Sequence, residues 1–301
     1  MYIIPKKQAV ILESNLTDID SNYTQFVPGT SYAVGAVIQY GEDIFRSVDN
    51  NNTATPVAGT ITFDWKYLKK ANKWAAFDPY NSTKTIHATE IMYVVESRYV
   101  DYIALINLRA NKVKLELFKL EDNVTIAEPI WSYEENTFYR KSFNYSEYIT
   151  KDGIFKRTFI QDIFPYYGTK LKITITGTNV EVGNIVYGKK IDLGIVLANN
   201  GLVSDLGNLI DIEIDSETGN IKQVPIMPRK DLAIPVLIET KDYERVKNVL
   251  EDYLGVACLF VALKGVKNKL PNIALYGFYK NIRTPIGAEY SEYELLIKGV
   301  I

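Results

Sequence analysis

Reactive side chains are the scarce part of this sequence. There is one histidine, His87, and one cysteine, Cys258. A zinc site needs about four His or Cys ligands, and a disulfide needs a second cysteine, so neither can be built within the chain. Ser-His-Asp catalysis would have to run through His87, which lies in Thr85-Ile86-His87-Ala88-Thr89 with no Gly-x-Ser-x-Gly elsewhere. Cys258 sits in the apolar run Val256–Val261 and reads as an inert core thiol. No Gly-x-Gly-x-x-Gly and no Gly-x4-Gly-Lys-Ser/Thr is present, so nucleotide phosphates have no glycine cradle. A glycosidase needs two carboxylates facing each other across a sugar bond. The conspicuous acidic groups are Glu134-Glu135 and the alternating Asp211, Glu213 and Asp215. The alternating set would share one strand face and reads as the solvent side of a half-buried sheet, with a calcium site including Glu217 as the minor option. The expectation is a protein that is not an enzyme, with no catalytic residue, no metal and no cofactor.

Aromatic residues are plentiful by contrast: 22 Tyr, 12 Phe and 3 Trp in 301 residues. Tyr133, Phe138, Tyr139, Phe143, Tyr145, Tyr148 and Phe164-Pro165-Tyr166-Tyr167 fall in polar stretches between apolar runs. Large rigid rings bury interface area at modest entropy cost, so Tyr139, Tyr145, Tyr148, Tyr166 and Tyr167 are candidate interface residues. The other reading is that tyrosine is simply a good strand residue with a half-exposed ring.

The elements that carry these residues are strands. Lys170–Thr176, Ile210–Asp215 and Val113–Leu117 alternate apolar and polar positions, the period of a sheet with one buried face. Tyr166-Tyr167-Gly168, Thr176-Gly177-Thr178-Asn179 and Ser216–Asn220 supply turn chemistry between them. One helix is expected over Thr240–Leu254. Tyr243, Val246, Val249, Leu250, Tyr253 and Leu254 recur there at spacings of three and four, Thr240 is placed to cap it, and Gly255 follows its end. Strand candidates flank it at Ile234–Ile238, Val256–Val261, Ile273–Tyr279 and Tyr293–Ile301. The fold class expected is therefore mostly β with a C-terminal α+β unit. The expected segments are an N-terminal arm (1–27), a small β module (28–70), a jelly-roll-like β-sandwich (71–198) and a one-helix-on-sheet domain (205–301), with the joint near Ala198–Gly201.

Net charge is −2, from 34 Lys and Arg against 36 Asp and Glu, so no global basic field exists to hold nucleic acid or an anionic membrane. No apolar run approaches the ~18 residues of a membrane span, and Met1–Lys7 has no export-signal pattern, so no membrane insertion is expected.

Two stretches resemble known families. Tyr32, Gly35 and Val37 run into Gln39-Tyr40-Gly41-Glu42-Asp43-Ile44-Phe45, followed by Pro56 and Trp65. This resembles the small chitin-binding-type carbohydrate-binding modules. The resemblance implies that Tyr40, Phe45 and Trp65 stack on sugar faces, with host surface glycan as a partner. In a module this small the same rings can instead be the core. Asn72-Lys73-Trp74-Ala75-Ala76-Phe77-Asp78-Pro79-Tyr80, Tyr102–Leu108, Val180–Gly188 and Ala274–Lys280 together resemble a family of tailed-bacteriophage virion proteins, tail or neck components. That resemblance implies a structural part of a tail, neck or baseplate. Such a part would assemble in the bacterial host cytoplasm into the virion, bound to copies of itself and to other virion proteins.

Overall fold

A computed structural model describes residues 1–57, 62–80, 82–124, 126–139, 153–197, 203–207, 210–214, 221–225, 229–263, 273–283, 287 and 289–300; at 203–207, 210–214, 221–225, 229 and 281–283 the description is of the backbone. The protein is mostly β, with several sheets and, among the described residues, one α-helix near the C-terminus. The chain divides into two compact units, Gln8–Ile185 and Met1–Lys7 together with Val186–Ile301.

This division departs from the expected segments at both ends. Tyr2–Pro5 is not part of a free arm. It is a strand of the C-terminal unit, hydrogen-bonded to Cys258–Leu263 on one side and Ile191–Asp192 on the other. The reason lies in Ile3 and Ile4, whose side chains are fully buried there, because a two-sided position in a sheet rewards consecutive apolar residues. From Tyr2–Pro5 the sheet continues through Cys258–Leu263, Ile273–Arg283 and Tyr290–Gly299 to Arg229–Glu239, which is paired in turn by Ile195–Val196 and Val203–Gly207. Tyr290–Gly299 shows the underlying pattern, with Ser291, Tyr293, Leu295 and Ile297 buried and their neighbours facing out. The helix spans Tyr243–Asp252 after a 3-10 turn at Thr240–Asp242. Val246 and Leu250 join the cluster containing Ile234, Val236, Phe260 and Leu295, so the helix lies on one sheet face. Thr240 does not cap it. Its hydroxyl donates to the Gly287 carbonyl (3.0 Å) and lies 3.0 Å from Ser291 Oγ, tying the strand end to the loop before Tyr290–Gly299. Gly255, with φ of +74°, takes the left-handed position just beyond the helix end.

In the unit Gln8–Ile185 the main sheet runs Trp131–Asn136, Lys112–Lys119, Thr158–Thr176 and Glu90–Ile106, and Ile11–Ser14 also pairs with Glu90–Ile106. Thr158–Thr176 and Glu90–Ile106 are 19 and 17 residues long. A straight strand of 19 residues would extend ~60 Å, too far for one layer of a small domain. The pair is bent double. Tyr133 sits in register with Leu115, and Leu115 with Ile173, yet the ring of Tyr133 is 6.3 Å from that of Phe159, fourteen positions earlier on the same strand as Ile173. The two halves of the long hairpin thus face each other as the layers of a sandwich, and Tyr93, Ile103, Leu105, Leu115, Leu117, Phe159 and Ile173 fill the space between. A separate four-stranded sheet of Thr24–Gln25, Val37–Tyr40, Asp43–Ser47 and Trp65–Lys70 forms the small module, with Gly41 at φ +60° in its tight turn.

Candidate functional site

At the bend in the long strands Phe164 and Tyr167 come to the surface. Asp162 pairs with Tyr102 and Tyr166 with Val100, so three residues, Ile163, Phe164 and Pro165, stand opposite Asp101 alone. Proline explains the break, since it has no N–H to give the ladder and is accepted in a strand mainly at an edge or bulge. Ile163 turns inward and is buried, whereas Phe164 is 60 % exposed and Tyr167 83 %. Gly168 follows at φ +63°, a left-handed backbone that a glycine adopts without cost, and its carbonyl accepts a hydrogen bond from Leu120 N at 3.0 Å. Tyr166-Tyr167-Gly168 therefore does not reverse the chain as a turn; it re-aims one continuous strand.

Beneath the bend the structure is tightly held. Ser97 and Thr169 are in register and buried. Ser97 Oγ donates to the Thr169 carbonyl (3.1 Å), and Thr169 Oγ1 donates to the Ser97 carbonyl (2.9 Å). The rings here form two separate pairs, because neighbouring residues of a strand face opposite sides of the sheet. Phe164 and Tyr166 have centroids 5.1 Å apart, and Tyr99 and Tyr167 4.9 Å apart. Tyr166 and Tyr167 line a shallow depression together with Lys119, Leu120, Glu121, Ile130 and Gly168. Tyr167, packed against Tyr99 and largely exposed, thus forms part of the wall of an open hollow with Leu120 and Ile130, an arrangement suited to burying another surface.

Of the residues expected at interfaces, Tyr166 and Tyr167 lie in this corner. Tyr139, 49 % exposed, is elsewhere, on the short strand Phe138–Tyr139 paired with Ile154–Phe155. Tyr145 and Tyr148 lie outside the described residues. Tyr99, Leu120 and Ile130 also belong to the corner and were not singled out from sequence. Their signal is weak, because each is a single apolar or aromatic residue that no motif sets apart, and only the strand pairing and the fold bring them to Tyr167.

The expected sugar-stacking set is corrected by burial. Phe45 and Trp65 are fully buried, so neither offers a face to a ligand. They form the module's core with Tyr32 and Ile38. Trp65 Nε1 donates to the Ala54 carbonyl at 2.7 Å, and its ring meets those of Tyr32 and Phe26 edge-on. Tyr40 alone of the three reaches the surface, with Phe26 packed edge-on against its ring.

The candidate reactive groups have structural partners. His87 Nδ1 accepts from Thr89 N and Glu90 N, closing the turn into Glu90–Ile106. Glu134 pairs with Lys112 at 2.7 Å, while Glu135 pairs with Lys156 at 2.8 Å and accepts from the Tyr133 hydroxyl at 3.0 Å. Burial and the neighbouring Glu135 carboxylate raise the Tyr133 phenol above its ordinary value. Cys258 is fully buried, and desolvation pushes its thiol up to about 12. Asp211 and Glu213 lie on the strand Ile210–Ile214, paired with Ile221–Pro225, where the description is of the backbone; Asp215 and Glu217 lie outside the described residues. Among the described residues, no group of three or more His, Cys, Asp or Glu is placed to hold a metal ion.

Comparison with known proteins yields no match to a family model, to a curated protein or to a solved structure.

Proposed function

We propose that this chain is a structural component of a tailed-bacteriophage virion, part of a tail, neck or baseplate, and that it works through contacts with copies of itself and with other virion proteins. One observation carries the reading: the ring of Tyr167, 83 % exposed, is packed against Tyr99 next to the buried Ser97–Thr169 hydrogen bonds and lines an open hollow with Leu120 and Ile130. An exposed ring carries a continuing hydration cost, and a pre-organised cluster of such rings loses little entropy when a partner covers it. The resemblance of residues 72–80, 102–108, 180–188 and 274–280 to virion proteins supports the location. Mass spectrometry of purified particles tests it. The chain is expected in fixed stoichiometry with the other virion proteins, and its recovery only from the particle-free lysate would refute the reading.

A second reading, contact with host-surface glycan, is favoured by Phe63. This ring is 96 % exposed and directly precedes Asp64, which lines a polar depression with Asp49, Asn50, Asn51, Asn52 and Thr53. An exposed ring beside amide and carboxylate groups is the chemistry that recognises a pyranose, one apolar face and several hydroxyls. A glycan array probed with the intact protein and with Phe63→Ala decides it: binding that disappears in the variant supports this reading, and no binding by either protein eliminates it.

A further inference from the structure

We propose that the strand Tyr2–Pro5 is exchangeable: its slot in the C-terminal sheet accepts the same strand from a second copy of this chain, so that copies interlock by trading it. The proposal goes beyond the assembly reading above and does not depend on it, because it follows from the topology of the chain. Residues 1–7 belong to the unit that resumes at Val186, and residues 8–185 form the other unit. Between Tyr2–Pro5 and both strands it pairs with, Ile191–Asp192 and Cys258–Leu263, the chain therefore runs through a whole separate unit. Strands joined by a tight turn are kept together by the turn. Here only non-covalent contacts decide which copy's strand fills the slot.

The chemistry of the slot identifies its occupant. Tyr2, Ile3, Ile4 and Pro5 stand opposite Val261, Phe260, Leu259 and Cys258, and on the other side Tyr2 and Ile3 stand opposite Asp192 and Ile191. Leu193 N donates to the Met1 carbonyl at 3.0 Å. Ile3 joins the cluster that holds Leu193, Ile234 and Phe260, and Ile4 is fully buried as well. An empty slot leaves the facing edges of two strands unpaired and takes both isoleucines out of the apolar interior, so it is filled in every copy, by that copy's own strand or by a neighbour's. The contacts within the slot are the same in both cases. Only the path of Lys6–Val10 differs, and this segment is in neither helix nor strand. A tethered strand competes for its own slot at an effective concentration on the order of millimolar. Copies packed side by side in an assembly reach that level, and exchange of an identical element is then a low-cost route to association.

Cross-linking between two full-length variants tests this, both in a Cys258→Ala background. One carries Tyr2→Cys and the other Val261→Cys, positions that stand in register, so neither chain can close the bridge by itself. The two are mixed at high concentration, taken through mild denaturant so that strands leave their slots, returned to native conditions, oxidised and resolved on a non-reducing gel. A covalent heterodimer is expected, with a yield that rises with protein concentration. Tyr2→Cys/Val261→Cys in one chain is expected to close internally when dilute and to form covalent dimers when concentrated. Phe278→Cys in place of Val261→Cys is the control. Phe278 is exposed, lies two strands from Tyr2 and is four residues beyond the Ala274 that faces Val261, so exchange gives no heterodimer with it. The unmodified chain supplies a readout free of the bridge: after the same concentrated cycle it should elute partly as a dimer that persists on dilution, because return to monomer requires the strand to leave its slot. Monomer alone in that experiment overturns the proposal, as does a double variant that closes internally while the mixed single variants yield no heterodimer, or a heterodimer that forms equally well with Phe278→Cys. Particle composition tests the virion role separately: a chain found in virions that never exchanges its strand removes the interlock and leaves that role standing, and an exchanged dimer absent from virions does the reverse.

Discussion

Replacing Trp65 by alanine distinguishes a ring that holds the small module together from one that meets a ligand. Its side chain is fully buried. An indole of this kind removes ~200 Å² from water, which at ~25 cal/mol per Å² amounts to about 5 kcal/mol as an upper bound. Measured Trp→Ala losses in cores fall at ~3–5 kcal/mol because the surroundings partly collapse. The edge-on contacts with Tyr32 and Phe26 and the 2.7 Å hydrogen bond to the Ala54 carbonyl place Trp65 in the upper part of that range, and the expected cost is about 4 kcal/mol. The chain has more than one unit, so a single global unfolding curve would blur the effect. Amide hydrogen exchange localises it. Backbone amides of Val37–Tyr40, Asp43–Ser47 and Trp65–Lys70 should exchange roughly a thousandfold faster in Trp65→Ala, with the strands at 90–106 and 158–176 little changed. Trp65→Phe keeps most of the ring area and loses the indole N–H, and should give a loss of only ~1–2 kcal/mol. Trp65→Ala with wild-type protection across the module would refute the assignment of this ring to the core.

Other substitutions probe the backbone and the buried thiol. Gly168→Val places a β-branched residue at φ +63°, where an L side chain costs ~1–2 kcal/mol; urea denaturation should show that loss, and Gly168→Asn a smaller one. Gly277→Ala would set a methyl group inside contact distance of the Lys298 carbonyl oxygen on the neighbouring strand, so a loss of ~1–3 kcal/mol is expected in the C-terminal unit, read as a lowered melting temperature. Cys258 should resist a thiol reagent at pH 8 in the native protein and react at the rate of unfolding, because burial holds its thiol up at about 12 against 9.0 for an ordinary one. As a group whose folded value is raised, its contribution to stability is full below pH 9 and is lost as the pH rises towards 12; alkaline denaturation should therefore begin at lower pH in wild type than in Cys258→Ala, compared at matched neutral-pH stability.

Period-two alternation made the strands legible: Lys170–Thr176 and Val113–Leu117 lie within observed strands, and the expected Tyr293–Ile301 overlaps the observed Tyr290–Gly299. The helix was readable from Val246 and Leu250, its two buried positions. What the sequence concealed was non-local. Ile3 and Ile4 read as part of an arm because four residues carry too little periodicity to reveal that Cys258–Leu263 lies beside them. Tyr166-Tyr167-Gly168 has the composition of a hairpin turn, and only the pairing of Thr169 with Ser97 and of Tyr166 with Val100 shows a strand that continues past it. Exposure was the hardest property to read. Phe45, Trp65 and Phe63 are all aromatic residues of one small module, yet two are buried and the third is almost wholly exposed; in a unit with so few apolar residues, each ring is decided by its place in the register rather than by its type.

Complementation tests the central claim, assembly through the aromatic corner, most directly. Under the virion role proposed above, a phage deleted for the gene would be supplied with wild type or with Phe164→Ser/Tyr167→Ser, and finished particles counted by titre and electron microscopy. The account predicts that the variant, folded and as heat-stable as wild type in isolation, leaves particles stalled and the titre reduced by orders of magnitude. Full titre and normal particles carrying the variant would contradict it.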